Sequence, residues 1–267
     1  MIKQFGTCGL KTVAILCLSA LVAWSGCVVT GGKKDKNSIP RKERKGLAVL
    51  KFVNSTSGEK AEYFQPWEYG IAAMLTTDLE QTAMFNIVDR ERLYDILAEQ
   101  KLQSTVFFDQ STVVSIGKMV AAEYILSGTF VVVGDNLKMT AQVFSVEKGT
   151  QLGAVSADGI TERFFGVEKA LFGKISNTLR VILDEEKKKL IMAAIETTSV
   201  DASLNNYAGE MSLLKAEEMK KLGKKEETKI LSNDAKLKFR EALEADPNYE
   251  RAKENLSRLV MAIPMTL

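Results

Sequence analysis

The chain has 267 residues, of which 46% are hydrophobic and 26% are charged, and its formal net charge is +2. This composition is typical of a globular protein of one or two domains and excludes both a disordered chain and a protein with many membrane spans. The absence of histidine excludes histidine-based catalysis and zinc sites with imidazole ligands. The three cysteines lie at positions 8, 17 and 27, so the body of the chain has no cysteine for a disulfide or a metal site.

The first 26 residues have the features of a lipoprotein export signal. Two lysines lead into an apolar run over 12–24, which is shorter than the about 20 residues that a membrane span needs. Two small residues then precede Cys27, although Trp24 stands where leucine is usual in such signals. We predict that residues 1–26 are a signal peptide and that Cys27 carries a lipid anchor to the membrane; a plain cleaved signal peptide is the alternative. Loss of the leader lowers the formal charge to 0, so we expect no nucleic-acid partner.

Residues 27–45 are predicted to be a flexible basic tether. Residues 28–45 contain seven lysines or arginines, two acidic residues and few apolar ones, a composition that does not form a packed core. A solvated linker is the favoured interpretation, and contact with anionic headgroups or the cell-wall polymer is the alternative. Valine rather than aspartate follows Cys27, which resembles the pattern associated with release to the outer membrane in enteric bacteria, so we expect the anchor to lie on the periplasmic face of the outer membrane.

An α+β domain, with a small mixed sheet flanked by helices, is predicted for residues 46–183. Its first part is predicted to contain a strand over 47–53, a helix from Pro66, a strand over 85–88, a helix capped by Asp89 and a helix capped by Asp109 or Ser111.

A β-hairpin is predicted at the centre of this domain. Its arms are 124–133 and 137–146, and the tight turn 134–136 joins them. The first arm is nearly continuously apolar, which indicates a strand covered on both faces or covered by helices on one. The second arm alternates, so Leu137 and every second residue after it are predicted to face one way. A third strand over 151–160 is predicted to follow.

Thr161 is predicted to cap a long helix whose apolar side extends to Ile182. A linker helix over 184–200 and a tetratricopeptide-like helical region over 201–267 are predicted to follow. Within that region we expect a first helix over 204–222, a loop over 223–228 and a second helix.

Phe239, Tyr249 and Ala252 are the candidate site residues of the helical region. Ala235, Phe239, Ala242 and Pro247 have the spacing of the second helix and exit turn of a tetratricopeptide repeat. One repeat cannot form a long solenoid, so these helices must pack on each other and on the sheet domain, or on another chain. Packing of the three side chains in the hairpin core is the favoured hypothesis, and a partner-binding surface is the alternative.

No group of residues forms a candidate active site. Gly31–Lys33 lies in the tether, and Gly117–Lys118 lacks the glycine-rich loop of a phosphate site. The charged turn Asp89–Arg92 is interpreted as a solvated, self-paired helix cap. Glu99 and Asp109 have no visible nucleophile or base beside them. We therefore predict no catalytic residue, no metal site and no cofactor, and a protein that is not an enzyme.

Several blocks of the sequence resemble a known family. Residues 48–54, 73–79, 85–90, 99–100 and 117–128 are similar, in order, to the blocks of the curli production assembly/transport (CsgG) family. The resemblance covers about 46–183 and implies a sheet flanked by helices, a lipid anchor in the outer membrane and frequent assembly into homo-oligomeric rings.

The chain departs from the curli secretion channels of this family in one respect. Those channels insert long amphipathic hairpins, whose membrane strands need about 9 to 11 residues each. The turn 134–136 and the interval 149–161 leave no room for such insertions. We therefore expect a peripheral protein that forms no pore.

The leading functional hypothesis is a non-enzymatic lipoprotein of the outer membrane, facing the periplasm. It would act with periplasmic protein partners as an assembly or scaffolding component of secretion or envelope structures. One alternative is a tethered activator of a cell-wall synthase, to which the resemblance also extends. A pore-forming curli-type secretion subunit is the other alternative.

Overall fold

A five-stranded mixed sheet lies at the centre of the fold. The structure, a computed structural model, describes residues 39–99 and 109–262. The strands are β1 (Lys45–Asn54), β2 (Phe85–Ile87), β3 (Tyr124–Val133), β4 (Asn136–Ser145) and β5 (Thr150–Ile160). Their order in the sheet is β2-β1-β3-β4-β5. β1 is parallel to both of its neighbours, whereas β3, β4 and β5 are antiparallel to one another.

Helices flank the sheet and continue beyond it. The helices of the sheet domain are α1 (Lys60–Tyr63), α2 (Trp67–Gln81), α3 (Arg90–Glu99), α4 (Gln110–Met119) and α5 (Phe164–Thr178). They are followed by α6 (Glu185–Ala193), α7 (Val200–Lys221), α8 (Lys225–Ala245) and α9 (Glu250–Ala262). The predicted α+β class is confirmed. In the described part of the chain, no helix combines the length and the apolar character that crossing a membrane requires.

The larger core lies between one face of the sheet and helices α2 and α5. Alternate residues of β4 from Leu137 to Val143 face this core, as the period of two predicts. At its centre, the ring of Trp67 stacks on Phe164 with 3.9 Å between centroids and meets the edge of Phe130 at 6.3 Å. Large aromatic side chains dominate the energetics of a core, so Trp67 is a principal anchor of α2 and α5 on the sheet.

Helices α3 and α4 cover the opposite face of the sheet. Ile125 and Phe144 project to this side and form a second buried cluster with Ile116 of α4. Asp109, one of the two predicted caps of α4, accepts a hydrogen bond from the backbone N–H of Thr112 at 2.8 Å. β3 is therefore covered on both faces, which is one of the two arrangements that its apolar sequence allows.

Helices α7, α8 and α9 form the helical hairpin region. Gly223 lies in the turn between α7 and α8, and its φ of +73° is a backbone conformation that glycine adopts without strain. Phe239 of α8 is buried in a cluster with Leu259 of α9. Tyr249 and Ala252 are buried in a neighbouring cluster at the junction of α8 and α9.

The long helix predicted from Thr161 to Ile182 is wrong at both ends. A 3-10 turn (Thr161–Arg163) precedes α5, so Thr161 does not cap the helix itself. The helix ends at Thr178, and Arg180 takes a φ of +54°, which a helix cannot continue through. Ile182, predicted to face the core, has 66% of its surface exposed.

The boundaries of the helical region also differ from the prediction. Asp184 does not lie within a continuing helix but caps the separate helix α6, accepting a hydrogen bond from the Lys187 N–H at 2.7 Å. The loop predicted over 223–228 is shorter, because α8 already begins at Lys225. The predicted signal peptide, Cys27 and the tether as far as residue 38 lie outside the described residues.

Candidate protein-binding groove

The helical hairpin docks tightly on the sheet domain through α7 and α2. The ring of Tyr207 lies directly against Gly70, where a Cβ atom would overlap it, so α2 needs glycine at this contact. One turn away, Trp67 Nε1 donates a hydrogen bond to the Ser203 hydroxyl at 3.1 Å. The largest aromatic side chain of the sheet core thus also contacts the hairpin.

Glu196, in the segment between α6 and α7, accepts hydrogen bonds from three side chains of the hairpin. The hydroxyls of Tyr207 and Tyr249 donate to its Oε2 at 3.2 and 3.1 Å. Arg251 Nη1 donates to its Oε1 at 3.1 Å. Because buried polar groups need partners, these bonds hold the connecting segment against α7 and α9.

Glu210 of α7 joins the hairpin to the sheet domain electrostatically. Arg251 Nε donates to Glu210 Oε1 at 2.7 Å, and Asn255 Nδ2 donates to the same oxygen at 3.1 Å. Arg90 of α3 lies 3.8 Å from the other oxygen. Burial raises the pKa of Glu210, but Arg251 and Arg90 outweigh it and leave the pKa below its ordinary value.

Arg90 is not the solvated, self-paired cap that the sequence predicts. Its side chain is 22% exposed and faces Glu210, and its guanidinium lies 5.8 Å from the centre of the Tyr94 ring. Asp89 does cap α3, accepting a hydrogen bond from the Arg92 N–H at 3.0 Å. No sequence pattern predicts a role for Glu196 or Arg251; for Glu210, the signal is an acidic residue one turn from Tyr207 on the apolar side of α7.

A groove of about 840 Å³ opens above these ion pairs, between α2 and α3 on one side and α7 and α9 on the other. Its lining combines carboxylates, guanidinium groups and leucines. They include Glu80, Glu196, Glu210, Glu217, Glu250, Glu254, Arg90, Arg251, Arg258, Leu213, Leu214 and Leu259. The volume lies in the upper part of the range of about 300 to 1,000 Å³ that is usual for ligand pockets. The mixed lining suits a peptide segment better than a small apolar molecule.

A second buried charged cluster lies between α2 and α5. Lys169 Nζ is 2.7 and 2.6 Å from the two carboxylate oxygens of Asp78 and 3.5 Å from Glu168. The Glu168 side chain is fully buried. Burial, and then the neighbouring Asp78 carboxylate, raise the pKa of Glu168 well above its ordinary value. Asp78 and Lys169 also line a cavity of about 160 Å³.

The candidate site residues predicted from the sequence lie in the helical hairpin region. Phe239, Tyr249 and Ala252 are each fully buried, and Tyr249 also takes part in the Glu196 hydrogen bonds. Cys27 lies outside the described residues. Within residues 39–99 and 109–262, no group of three or more Cys, Asp or Glu side chains is arranged to hold a metal ion.

Comparisons with known proteins give one strong similarity and several weak ones. No curated protein matches the chain. Among solved structures, the LpoB C-terminal domain from Salmonella enterica is 17% identical, with a TM-score of 0.35, over 43% of this chain and 82% of that one. Lipoprotein GNA1162 from Neisseria meningitidis is 12% identical, with a TM-score of 0.38, over 51% and 99% of the two chains.

A dodecameric PelC variant from Paraburkholderia phytofirmans is 14% identical, with a TM-score of 0.33, over 53% of this chain and 92% of that one. These scores are too low to transfer a function. The model of the family described as curli production assembly/transport component CsgG matches residues 34–170, slightly more than half of the chain. The chain therefore belongs to the CsgG family.

Proposed function

We propose that this protein is a non-enzymatic lipoprotein on the periplasmic face of the outer membrane, where it acts as an assembly or scaffolding component of secretion or envelope structures. The sequence pattern before Cys27 supports the lipid anchor, and membership of the CsgG family supports a role in the envelope. A ring-shaped homo-oligomer is part of the proposal and is tested by the mass of the detergent-solubilised protein.

The groove between the sheet domain and the hairpin is the observation that carries a partner-binding role. Both of its walls are held in place, because Glu210 interacts with Arg90 on one side and with Arg251 on the other. A preformed concave surface loses little conformational entropy on binding, which favours recognition of a protein segment. Leu213, Leu214 and Leu259 supply its apolar contact area.

Pull-down of the detergent-solubilised protein, followed by mass spectrometry, tests this proposal. The groove variant Glu217→Lys/Glu254→Lys reverses two exposed charges of the lining, with side chains 52% and 66% exposed. The control variant Glu62→Lys/Glu244→Lys makes the same charge change at exposed positions outside the groove.

We expect the wild type and the control to recover the same envelope protein and the groove variant to lose it. Equal recovery by the groove variant would contradict binding in the groove. Recovery of a cell-wall synthase instead of secretion or envelope-assembly proteins would contradict the scaffolding role and favour an activator.

A further inference from the structure

The charge of the chain is distributed unevenly between its beginning and its folded body. Residues 33–45 contain seven basic and two acidic residues, a formal charge of +5. Residues 46–267 contain 27 basic and 32 acidic residues, a formal charge of −5. A body with this net charge is repelled by an anionic surface unless it presents a locally basic region.

The structure places such a region where the chain enters the folded unit. It consists of Arg41, Lys42, Arg44 and Lys45, together with Arg92, which lines the same cavity as Arg44, and we call it the basic face; one acidic residue, Glu43, lies within it. A 3-10 turn (Arg41–Glu43) carries its first residues and leads directly into β1.

Side-chain contacts hold the basic face in a defined position on the sheet. Asn86 of β2 donates hydrogen bonds to the carbonyl oxygens of Arg41 and Arg44, each at 3.0 Å. Arg44 Nε donates to the Ile39 carbonyl at 2.7 Å. The turn is therefore fixed against β2, and the side chains of Arg41 and Lys42 are exposed on it.

Arg44 and Arg92 line the same surface cavity, whose volume is about 390 Å³. Two acidic residues, Asp89 and Glu123, also line it. Both accept backbone N–H bonds, Asp89 from Arg92 and Glu123 from Gly46. These N–H dipoles offset part of the negative charge of the two carboxylates, and the basic residues of the face outnumber the acidic ones, Glu43, Asp89 and Glu123.

We propose that the basic face docks on the headgroups of anionic phospholipids and thereby orients the folded unit on the membrane. The proposal rests on the lipid anchor of the proposed function, because an anchored chain stays beside a bilayer. Residues 28–39 span at most about 40 Å when fully extended, so the basic face stays within reach of the membrane to which Cys27 would be attached. One acyl signal combined with a basic surface is a known route to stable and oriented membrane association.

Vesicle sedimentation with residues 36–267 tests the basic face independently of the anchor. This segment forms a compact unit with its own core and lacks Cys27, so failure of lipidation cannot affect the result. Vesicles of phosphatidylcholine alone are compared with vesicles that also contain phosphatidylglycerol, at low and at high ionic strength.

The test variant is Arg41→Gln/Lys42→Gln/Arg92→Gln, which removes three exposed charges of the basic face. The control variant Lys224→Gln/Lys225→Gln/Lys229→Gln removes the same charge from exposed positions at the α7–α8 turn. Thermal unfolding followed by circular dichroism verifies that both variants fold.

We expect the wild type to sediment with the anionic vesicles, to remain in solution with neutral ones, and to be released by salt. The test variant should bind at least about tenfold more weakly, since each basic residue near such a surface contributes a several-fold factor, and the control should bind like the wild type. Equal binding to neutral vesicles, equal loss in the control, or no sedimentation with anionic vesicles at low salt would each overturn the proposal.

Discussion

Replacement of Glu210 by glutamine tests whether the hairpin and the sheet domain are held together by buried charge. The substitution keeps the shape of the side chain but removes the charge that faces Arg251 at 2.7 Å and Arg90 at 3.8 Å. Breaking a buried ion pair costs about 3 to 5 kcal/mol when one charge is left uncompensated. In the variant, Arg251 keeps its ion pair with Glu196 at 3.1 Å, and the glutamine side chain still offers Arg251 a carbonyl oxygen as a hydrogen-bond acceptor. We therefore expect a smaller loss in the free energy of unfolding, about 1.5 to 3 kcal/mol, which is the range of a hydrogen bond to a charged group.

Urea unfolding of residues 36–267 at neutral pH measures this loss through the shift of the midpoint. Glu217→Gln is the matched control, because Glu217 is 52% exposed and its ion pair with Lys220 lies on the surface; we expect a change within about 0.5 kcal/mol. A double-mutant cycle with Arg251→Met should show that the two substitutions together cost less than the sum of their separate costs. Additive costs, or a loss no larger than that of the control, would refute the reasoning.

The stability difference between the wild type and Glu210→Gln is expected to depend on pH. The pKa of Glu210 is lowered in the folded state from its ordinary value of 4.5. A depressed carboxyl pKa contributes stability above the unfolded pKa, and this contribution is lost as the pH falls through the folded pKa. The stability difference between wild type and Glu210→Gln should therefore be full at neutral pH and should shrink as the pH falls below 4.5.

Four further predictions concern the anchor, the two other buried groups and the membrane. Cys27→Ser should leave a full-length precursor that takes up no labelled fatty acid in cells, and unchanged labelling would contradict lipidation at this residue. Phe239→Ala should lower the free energy of unfolding by about 3 to 5 kcal/mol in urea, because it truncates a fully buried aromatic side chain; an unchanged midpoint would place the side chain outside the core. The free energy of unfolding of Glu168→Gln should increase relative to that of the wild type as the pH rises from 4.5 through the raised folded-state pKa, because the wild type loses stability when Glu168 ionises. Urea unfolding of both proteins at several pH values measures this difference. A difference that does not change with pH would show that Glu168 does not titrate in this way. Residues 36–267 should give no conductance in planar bilayers, and discrete channels would restore the pore-forming alternative.

The central hairpin was predictable because its determinants are local. The alternation from Leu137 to Val143 and the short turn after Val133 belong to neighbouring residues, and both place the strands as observed. Asp109 and the spacing of Val113 and Ile116 are equally local signals for α4 and its buried side.

The end of α5 was not predictable in this way. The apolar period that predicts the long helix continues past Thr178 to Ile182, yet the chain turns at Arg180 and Ile182 remains exposed. A period of 3.6 residues indicates that a segment can bury one face, but a helix continues only while there is a surface to bury it against. The position of that surface is a property of the tertiary structure.

The sequence by itself determined the α+β class, the family, the order of most elements and the packing side of the central strands, because hydrophobic period, turn residues and caps act over a few residues. Only the tertiary structure decided the roles of Arg90, Glu210 and Glu168. Arg90 and Glu210 are 120 positions apart in the sequence, and a charged residue has the same local sequence pattern whether its side chain is solvated or paired with a distant residue. The partner of a charge, and hence its burial and its pKa, depends on long-range packing, which local patterns do not encode.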